Sequence, residues 1–133
     1  MNAGRYLVTV WLLPILLLGS CTTVAMVGVG AGAGVGSYSY VRGELALDYP
    51  YSLDDTWNAS LKAVEKLDIQ LVKQGRDSLG GKITGKRTDG KVLLIKVKNK
   101  GLGVTNVAVR VGTFGDREAS RKIQETILSI LRS

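Results

Sequence analysis

Residues 81–111 read GKITGKRTDGKVLLIKVKNKGLGVTNVAVRV, and the fold follows from this stretch. Apolar and polar residues alternate in three segments of it, which predicts three β-strands that each bury one face. The segments are 81–88, 91–99 and 104–111. Asp89-Gly90 and Lys100-Gly101 separate them and favour tight turns. Because such short connections leave no room for a crossover helix, the three strands are predicted to be antiparallel neighbours.

Two further strands and two helices flank this stretch. Residues 43–49 alternate with period two and end at Pro50, so they predict an earlier strand, and residues 69–74 predict another. Ser52 starts a capping-box-like segment between these strands, and Asp116 is a favourable N-cap for a C-terminal helix. The apolar stripes of the two helices are Trp57, Leu61, Val64 and Leu67, and Ala119, Ile123, Ile127, Ile130 and Leu131.

The predicted order is β-α-β-β-β-β-α, an α+β fold with one antiparallel sheet and two helices packed on one face. Asp68 is expected to end the first helix, and residues 75–78 are expected to form a loop. We interpret Trp57 as a core residue rather than as a platform for a ligand. The sheet face toward the helices is predicted to hold Ile83, Leu93, Ile95, Val97, Val107, Val109 and Val111, and Leu45, Leu47 and Tyr49 are predicted to share one face of their strand.

The opposite sheet face, which we call the open face, is predicted to be basic, with a small apolar patch at Val92 and Leu94. The chain has a net charge of +7, and seven Lys or Arg residues stand against one Asp between Lys82 and Lys100. Because a basic surface attracts anions, we expect the open face to bind an anionic partner. The alternative is that its lysines only keep an exposed sheet soluble. The candidate binding residues are Lys82, Lys86, Lys96, Lys98 and Arg110.

The segment Arg110–Asp116 joins the last strand to the last helix and allows two interpretations. Backbone amides at the start of the helix could bind an anion. Alternatively, Gly112 and Gly115 form a tight turn, Asp116 caps the helix, and Phe114 fills part of the core. The sequence leaves both interpretations open.

The composition argues against several kinds of chemistry. The sequence has no His and one Cys, so it lacks the usual metal ligand sets, Ser-His-Asp and Cys-His catalytic groups, and an intrachain disulfide. Asp54, Asp55, Asp89 and Asp116 have no spacing typical of an acid–base pair. We therefore expect a protein that is not an enzyme and has no cofactor or metal. Nucleic acid is not expected as a partner, because the open face lacks interleaved aromatic residues.

The N-terminal residues predict an export signal with a lipid anchor. Arg5 precedes an apolar run that is shorter than the roughly 20 residues a membrane-spanning helix needs. The run ends in Leu18-Gly19-Ser20-Cys21, which resembles the bacterial lipobox. That resemblance implies that the Cys21 thiol receives a diacylglycerol, that the chain is cut before Cys21, and that the new amino group can be acylated, with chains such as palmitate. The alternative is a plain secretory signal with an incidental Cys.

The chain is thus divided into a signal peptide at 1–20, a lipidated Gly-rich apolar tether at 21–37 and an α+β domain at 38–133. By resemblance to enterobacterial sorting rules, Thr22 favours the outer membrane. The apolar stretch 24–36 could be a flexible tether. Its glycines Gly28, Gly32 and Gly36 also have the spacing that lets apolar helices approach closely in lipid, so membrane contact or self-association is the alternative.

Residues 18–133 resemble DUF3568, a family of small bacterial lipoproteins of unknown function. The resemblance rests on Cys21, the Gly-rich stretch, Gly43-Glu44-Leu45, Leu53–Ala59, the strand bearing Thr105, Arg110–Asp116, and Ser120 with Ile123. It implies an envelope address with the domain in the periplasm, and no established activity. We expect a membrane-anchored binding or accessory module that meets an anionic envelope component or an acidic protein. The alternative is a structural envelope protein that self-associates through its Gly-rich segment.

Overall fold

A computed structural model describes residues 37–133 of the chain. Its strands are β1 (Ser39–Val41), β2 (Glu44–Tyr49), β3 (Gln70–Arg76), β4 (Gly80–Lys86), β5 (Val92–Gly101) and β6 (Val104–Val111). Its helices are α1 (Leu53–Lys66) and α2 (Arg117–Arg132). The strands form one antiparallel sheet of order β1-β2-β6-β5-β4-β3. The predicted α+β class is confirmed, and the observed order is β-β-α-β-β-β-β-α.

The differences from the predicted elements are local. The sequence does not predict β1, because its three residues are exposed and show no apolar alternation; β1 is held by pairing with β2. The predicted loop at 75–78 is wrong in its first half, since Gly75 and Arg76 continue β3 opposite Lys82 and Gly81. Helix α1 ends at Lys66, and Asp68 lies just beyond it in a left-handed turn with φ 54°.

The core lies between the sheet and the two helices. Every apolar residue predicted for the helix-covered face is buried there, and Ile83, Ile95 and Val109 are fully buried. Trp57 is 6% exposed, which confirms that it belongs to the core. Along each of these strands, the apolar side chains therefore point toward the helices, and the residues between them point to the open face.

Two glycines of β4 let the side chains of Trp57 and Ile69 lie close to the sheet. A Cβ atom at Gly81 would lie 2.6 Å from Cζ3 of Trp57, and one at Gly85 would lie 2.7 Å from Cγ2 of Ile69. Both distances are too short for real side chains. The backbone of β4 is consequently the surface against which the indole and the isoleucine pack.

A buried glutamine ties α2 to the centre of the sheet. The Gln124 amide nitrogen donates to the carbonyls of Leu45 at 2.9 Å and Val107 at 2.8 Å, and its Oε1 accepts from the Tyr49 hydroxyl at 2.6 Å. Each of these polar groups thus has a partner inside the core, where an unpaired one would cost about 1–3 kcal/mol. The predicted stripe of α2 does not include Gln124, since a glutamine breaks an apolar pattern.

Both predicted helix caps are present, but Phe114 does not enter the core. Asp116 accepts a hydrogen bond from the Ala119 amide at 3.0 Å, as expected for an N-cap. The expectation that Phe114 fills part of the core is wrong, because its side chain is 92% exposed. Gly115 takes the inner position instead: a Cβ there would lie 2.4 Å from the Cα of Gly43. The backbone of Gly115 therefore packs directly against the backbone of Gly43, and the phenyl ring of Phe114 points into solvent.

Candidate functional site

The open face brings the five candidate residues together. Lys82 of β4 lies directly opposite Lys96 of β5, and Lys98 follows two positions along β5, opposite Gly80. Arg110 of β6 lies opposite Leu94, which shares the face. Lys86 ends the row on β4, opposite Val92. All five therefore alternate with buried core residues and point away from the helices.

Two acidic residues of β2 share this face and were not singled out from the sequence. Glu44 Oε1 lies 2.5 Å from Lys96 Nζ, and Asp48 Oδ2 lies 2.9 Å from Lys100 Nζ. The signal was present, because Glu44 and Asp48 alternate with the core residues of β2. The side of the open face nearest β2 is therefore charge-compensated.

Asp48 is the best-anchored of these acids. The Asn106 side-chain amide donates to its other oxygen at 2.6 Å. This hydrogen bond, together with the neighbouring Lys100 ammonium, lowers the pKa of Asp48 below its ordinary value. Asp48 is consequently charged at neutral pH and forms an ion pair with Lys100.

Arg110 is also engaged within the fold. Its guanidinium donates to the carbonyl of Thr113 and so holds the turn that leads into α2. Its side chain is half-buried rather than extended into solvent. Of the five candidate residues, Arg110 and Lys96 therefore have partners among residues 37–133.

Lys82, Lys86 and Lys98 are different. All three are exposed, and within the described part of the chain none of them lies in an ion pair. Lys82 and Lys86 lie on β4, and Lys98 lies on β5 between Lys96 and Lys100, the two lysines that pair with the acids of β2. The positive charge that remains for an external partner is thus concentrated on β4 and β5.

The segment Arg110–Asp116 takes the structural role among its two interpretations. Gly112 and Gly115 adopt left-handed angles, with φ 75° and 82°, and Asp116 caps α2. The Ala119 backbone hydrogen bond and the Lys91 ammonium, 3.6 Å away, lower the pKa of Asp116. The carboxylate of Asp116 therefore occupies the position at the start of α2 where an external anion would bind.

Within residues 37–133, no group of three or more Asp, Glu, Cys or His could hold a metal ion, and no helix is long and apolar enough to cross a membrane. The signal peptide at 1–20, Cys21 and the stretch 24–36 lie outside the described residues. The predictions made for them rest on the sequence.

A family model described as "Protein of unknown function (DUF3568)" matches residues 6–129. The match covers the N-terminal segment and nearly all of the described domain. No curated protein sequence matches the chain.

Proposed function

The chain belongs to the DUF3568 family, and we propose that it is a lipid-anchored protein of the bacterial cell envelope whose open face binds an anionic component there. The observation that carries the binding role is the group of exposed lysines on β4 and β5 that form no ion pair with any residue of 37–133: Lys82, Lys86 and Lys98. On this proposal the domain is a binding or accessory module rather than an enzyme.

The anchor is supported by the sequence around Cys21. The lipobox-like Leu18-Gly19-Ser20 precedes the single cysteine of the chain. Two acyl chains, at about 0.8 kcal/mol for each buried CH₂, would hold the protein stably on a bilayer. The anchor would keep the open face within reach of headgroups and other anionic components of the envelope.

The non-catalytic role is supported by what the acidic side chains do. Asp54 pairs with Arg76, Asp89 lies 3.6 Å from Arg87, and Asp116 caps α2. These three candidates for acid–base chemistry each have a structural partner. A binding function needs no more than the charge and shape of the open face.

The anchor is tested by intact mass and membrane fractionation of the expressed full-length protein, wild type against Cys21→Ala. We expect the wild type to begin at an acylated Cys21 and to sediment with membranes, and the variant to lack the acyl mass. An unmodified Cys21 in a soluble chain would remove the basis of the envelope address.

Binding by the open face is tested with the domain 37–133, which contains the whole described core. The probes are vesicles with and without anionic phospholipid, and vesicles containing lipopolysaccharide. We expect binding to anionic vesicles that weakens as salt is raised. Lys82→Glu with Lys86→Glu should abolish it, whereas Lys62→Glu with Lys122→Glu, which makes the same charge change on exposed residues of the helices, should not. Equal losses in both variants would contradict a role for the open face.

The glycine spacing of Gly28, Gly32 and Gly36 favours a second function, a structural protein that self-associates in the envelope. It predicts that the full-length protein forms oligomers that Gly32→Leu disrupts, while the domain 37–133 stays monomeric. Cross-linking in membranes followed by gel analysis separates the two functions, because monomers throughout would remove the self-associating one.

A further inference from the structure

The β3–β4 hairpin forms a shallow depression at one end of the open face. The depression has a volume of about 670 Å³ and is lined by residues of β3, β4 and β5, including Lys82, Lys96 and Lys98. Gly75 and Gly80 lie in its wall, and Leu79, at the tip of the hairpin, is 74% exposed beside it. We call this feature the glycine depression.

Steric need does not explain one of these glycines. A Cβ at Gly75 would meet no atom within 4 Å, and the residue has no left-handed backbone angle. Gly75 lies opposite Lys82, so a side chain there would stand beside the lysine and fill the depression. Glycine within a strand costs about 0.5–1 kcal/mol relative to alanine. The residue thus weakens β3 while it keeps open the space next to a cation.

The charges around the depression are arranged unfavourably for the protein alone. Lys82 and Lys96 lie directly across β4 and β5, where like charges repel. Glu44 compensates Lys96, but no acidic residue among those described pairs with Lys82 or Lys98. Asp77, the acidic residue in the lining, accepts instead from the amides of Leu79 and Gly80 at 2.8 and 3.1 Å. An external anion would relieve this repulsion.

We propose that the glycine depression binds the phosphate of a lipid headgroup. A phosphate offers several acceptor oxygens, so one group can meet the ammonium groups of Lys82 and Lys98 together. The exposed Leu79 and the lysine stems supply an apolar border for the glyceride part of the headgroup. This assignment rests on the proposed function, because it names the ligand class and the place on the open face where that ligand binds.

The decisive variant is Gly75→Gln in the domain 37–133, compared with wild type on vesicles containing phosphatidylglycerol. The substitution changes no charge, and the new Cβ would meet no atom within 4 Å, so we expect unchanged or raised thermal stability. Filling the space should weaken vesicle binding by about tenfold or more, close to the loss expected for Lys82→Glu with Lys98→Glu. Unchanged binding by a stable Gly75→Gln protein would overturn the site.

Two ligand arms test the chemistry. The first arm uses two kinds of vesicle with equal negative charge density, one charged by fatty acid carboxylates and the other by phosphatidylglycerol. The domain should bind the carboxylate vesicles more weakly, and equal binding would contradict phosphate recognition. Soluble glycerol phosphate should compete poorly, since it has no apolar part at the membrane surface, and efficient competition would contradict a lipid headgroup as the ligand.

The results also separate this site from the broader proposal. If Lys82→Glu with Lys86→Glu abolishes vesicle binding but Gly75→Gln does not change it, the open face binds anions and the glycine depression is not the site. If neither change affects binding while the helix control behaves like wild type, both proposals fail.

Discussion

The two faces of the sheet are made from alternate residues of the same strands, yet they follow different rules. On the helix-covered face, the side chains of Ile83, Ile95 and Val109 are fully buried, and the amide of Gln124 donates to carbonyls of β2 and β6. On the open face, the side chains are exposed or half-buried, and among residues 37–133 the charge compensation lies on the part nearest β2. Stability is therefore concentrated on one face, which leaves the other free to carry charges that the fold itself does not use.

The largest contrast is expected within β5. Ile95→Ala removes a fully buried side chain and should lower the free energy of unfolding by about 2–5 kcal/mol. Val92→Ala, on the open face of the same strand and 53% exposed, should change it by less than about 0.5 kcal/mol. Urea unfolding of the two variants measures both values, and similar losses would show that the open face is also part of the stabilising core.

Replacing each of two glycines on neighbouring strands with alanine should change the stability of the domain in opposite directions. Gly81→Ala places a methyl group against Trp57 and backbone, so we expect a loss of about 1–3 kcal/mol. Gly75→Ala points into open space and should stabilise the domain by up to about 1 kcal/mol. Thermal unfolding checks the sign of each change. A destabilised Gly75→Ala domain would argue that Gly75 is required by the fold and would weaken the case for the glycine depression.

High pH should destabilise the domain through Tyr49, which lies on the helix-covered face. Burial raises the pKa of the Tyr49 hydroxyl far above its ordinary value of 10.0, because the phenolate would be desolvated in the core. The stability that comes from the neutral hydroxyl is fully present below pH 10 and is lost as the pH rises toward the folded-state pKa. We expect the free energy of unfolding to fall by about 1.4 kcal/mol for each pH unit above about 10.

Tyr49→Phe is the control for this pH dependence. The variant loses the hydrogen bond to Gln124 and is less stable at neutral pH, but its stability should fall less steeply above pH 10. Equal slopes in the wild type and the variant, measured by urea unfolding at several pH values, would assign the alkaline loss to other groups.

On the open face, an acid of β2 should matter more for binding than for stability. Glu44→Gln removes the exposed ion pair with Lys96 and should cost less than about 1 kcal/mol. The freed Lys96 ammonium should raise affinity for vesicles that contain phosphatidylglycerol. Glu65→Gln, an exposed acid of α1 with no ion pair among the described residues, gives the same charge change away from the face and should raise affinity less. Equal effects would indicate attraction by net charge alone.

The same comparison shows what the sequence could predict. Alternation and helix caps are local patterns, so the core side of β2, β5 and β6 and the caps at Ser52 and Asp116 were predictable. The Glu44–Lys96 ion pair joins residues 52 positions apart, and it depends on which strands become neighbours in the sheet. Gln124 was missed for the same reason, because its acceptors lie on β2 and β6.

Phe114 provides the smallest expected effect and a direct test of the wrong core assignment. Hydrophobicity alone placed it inside, but Gly115 approaches the backbone of Gly43 so closely that the turn has no inner space for a side chain. Phe114→Ser should therefore change the free energy of unfolding by less than about 0.5 kcal/mol. Gly115→Ala is the matched change one residue along, and it should be clearly destabilising because a methyl group would collide with Gly43. If urea unfolding showed a larger loss of stability for Phe114→Ser than for Gly115→Ala, the phenyl ring would have to contribute to the core.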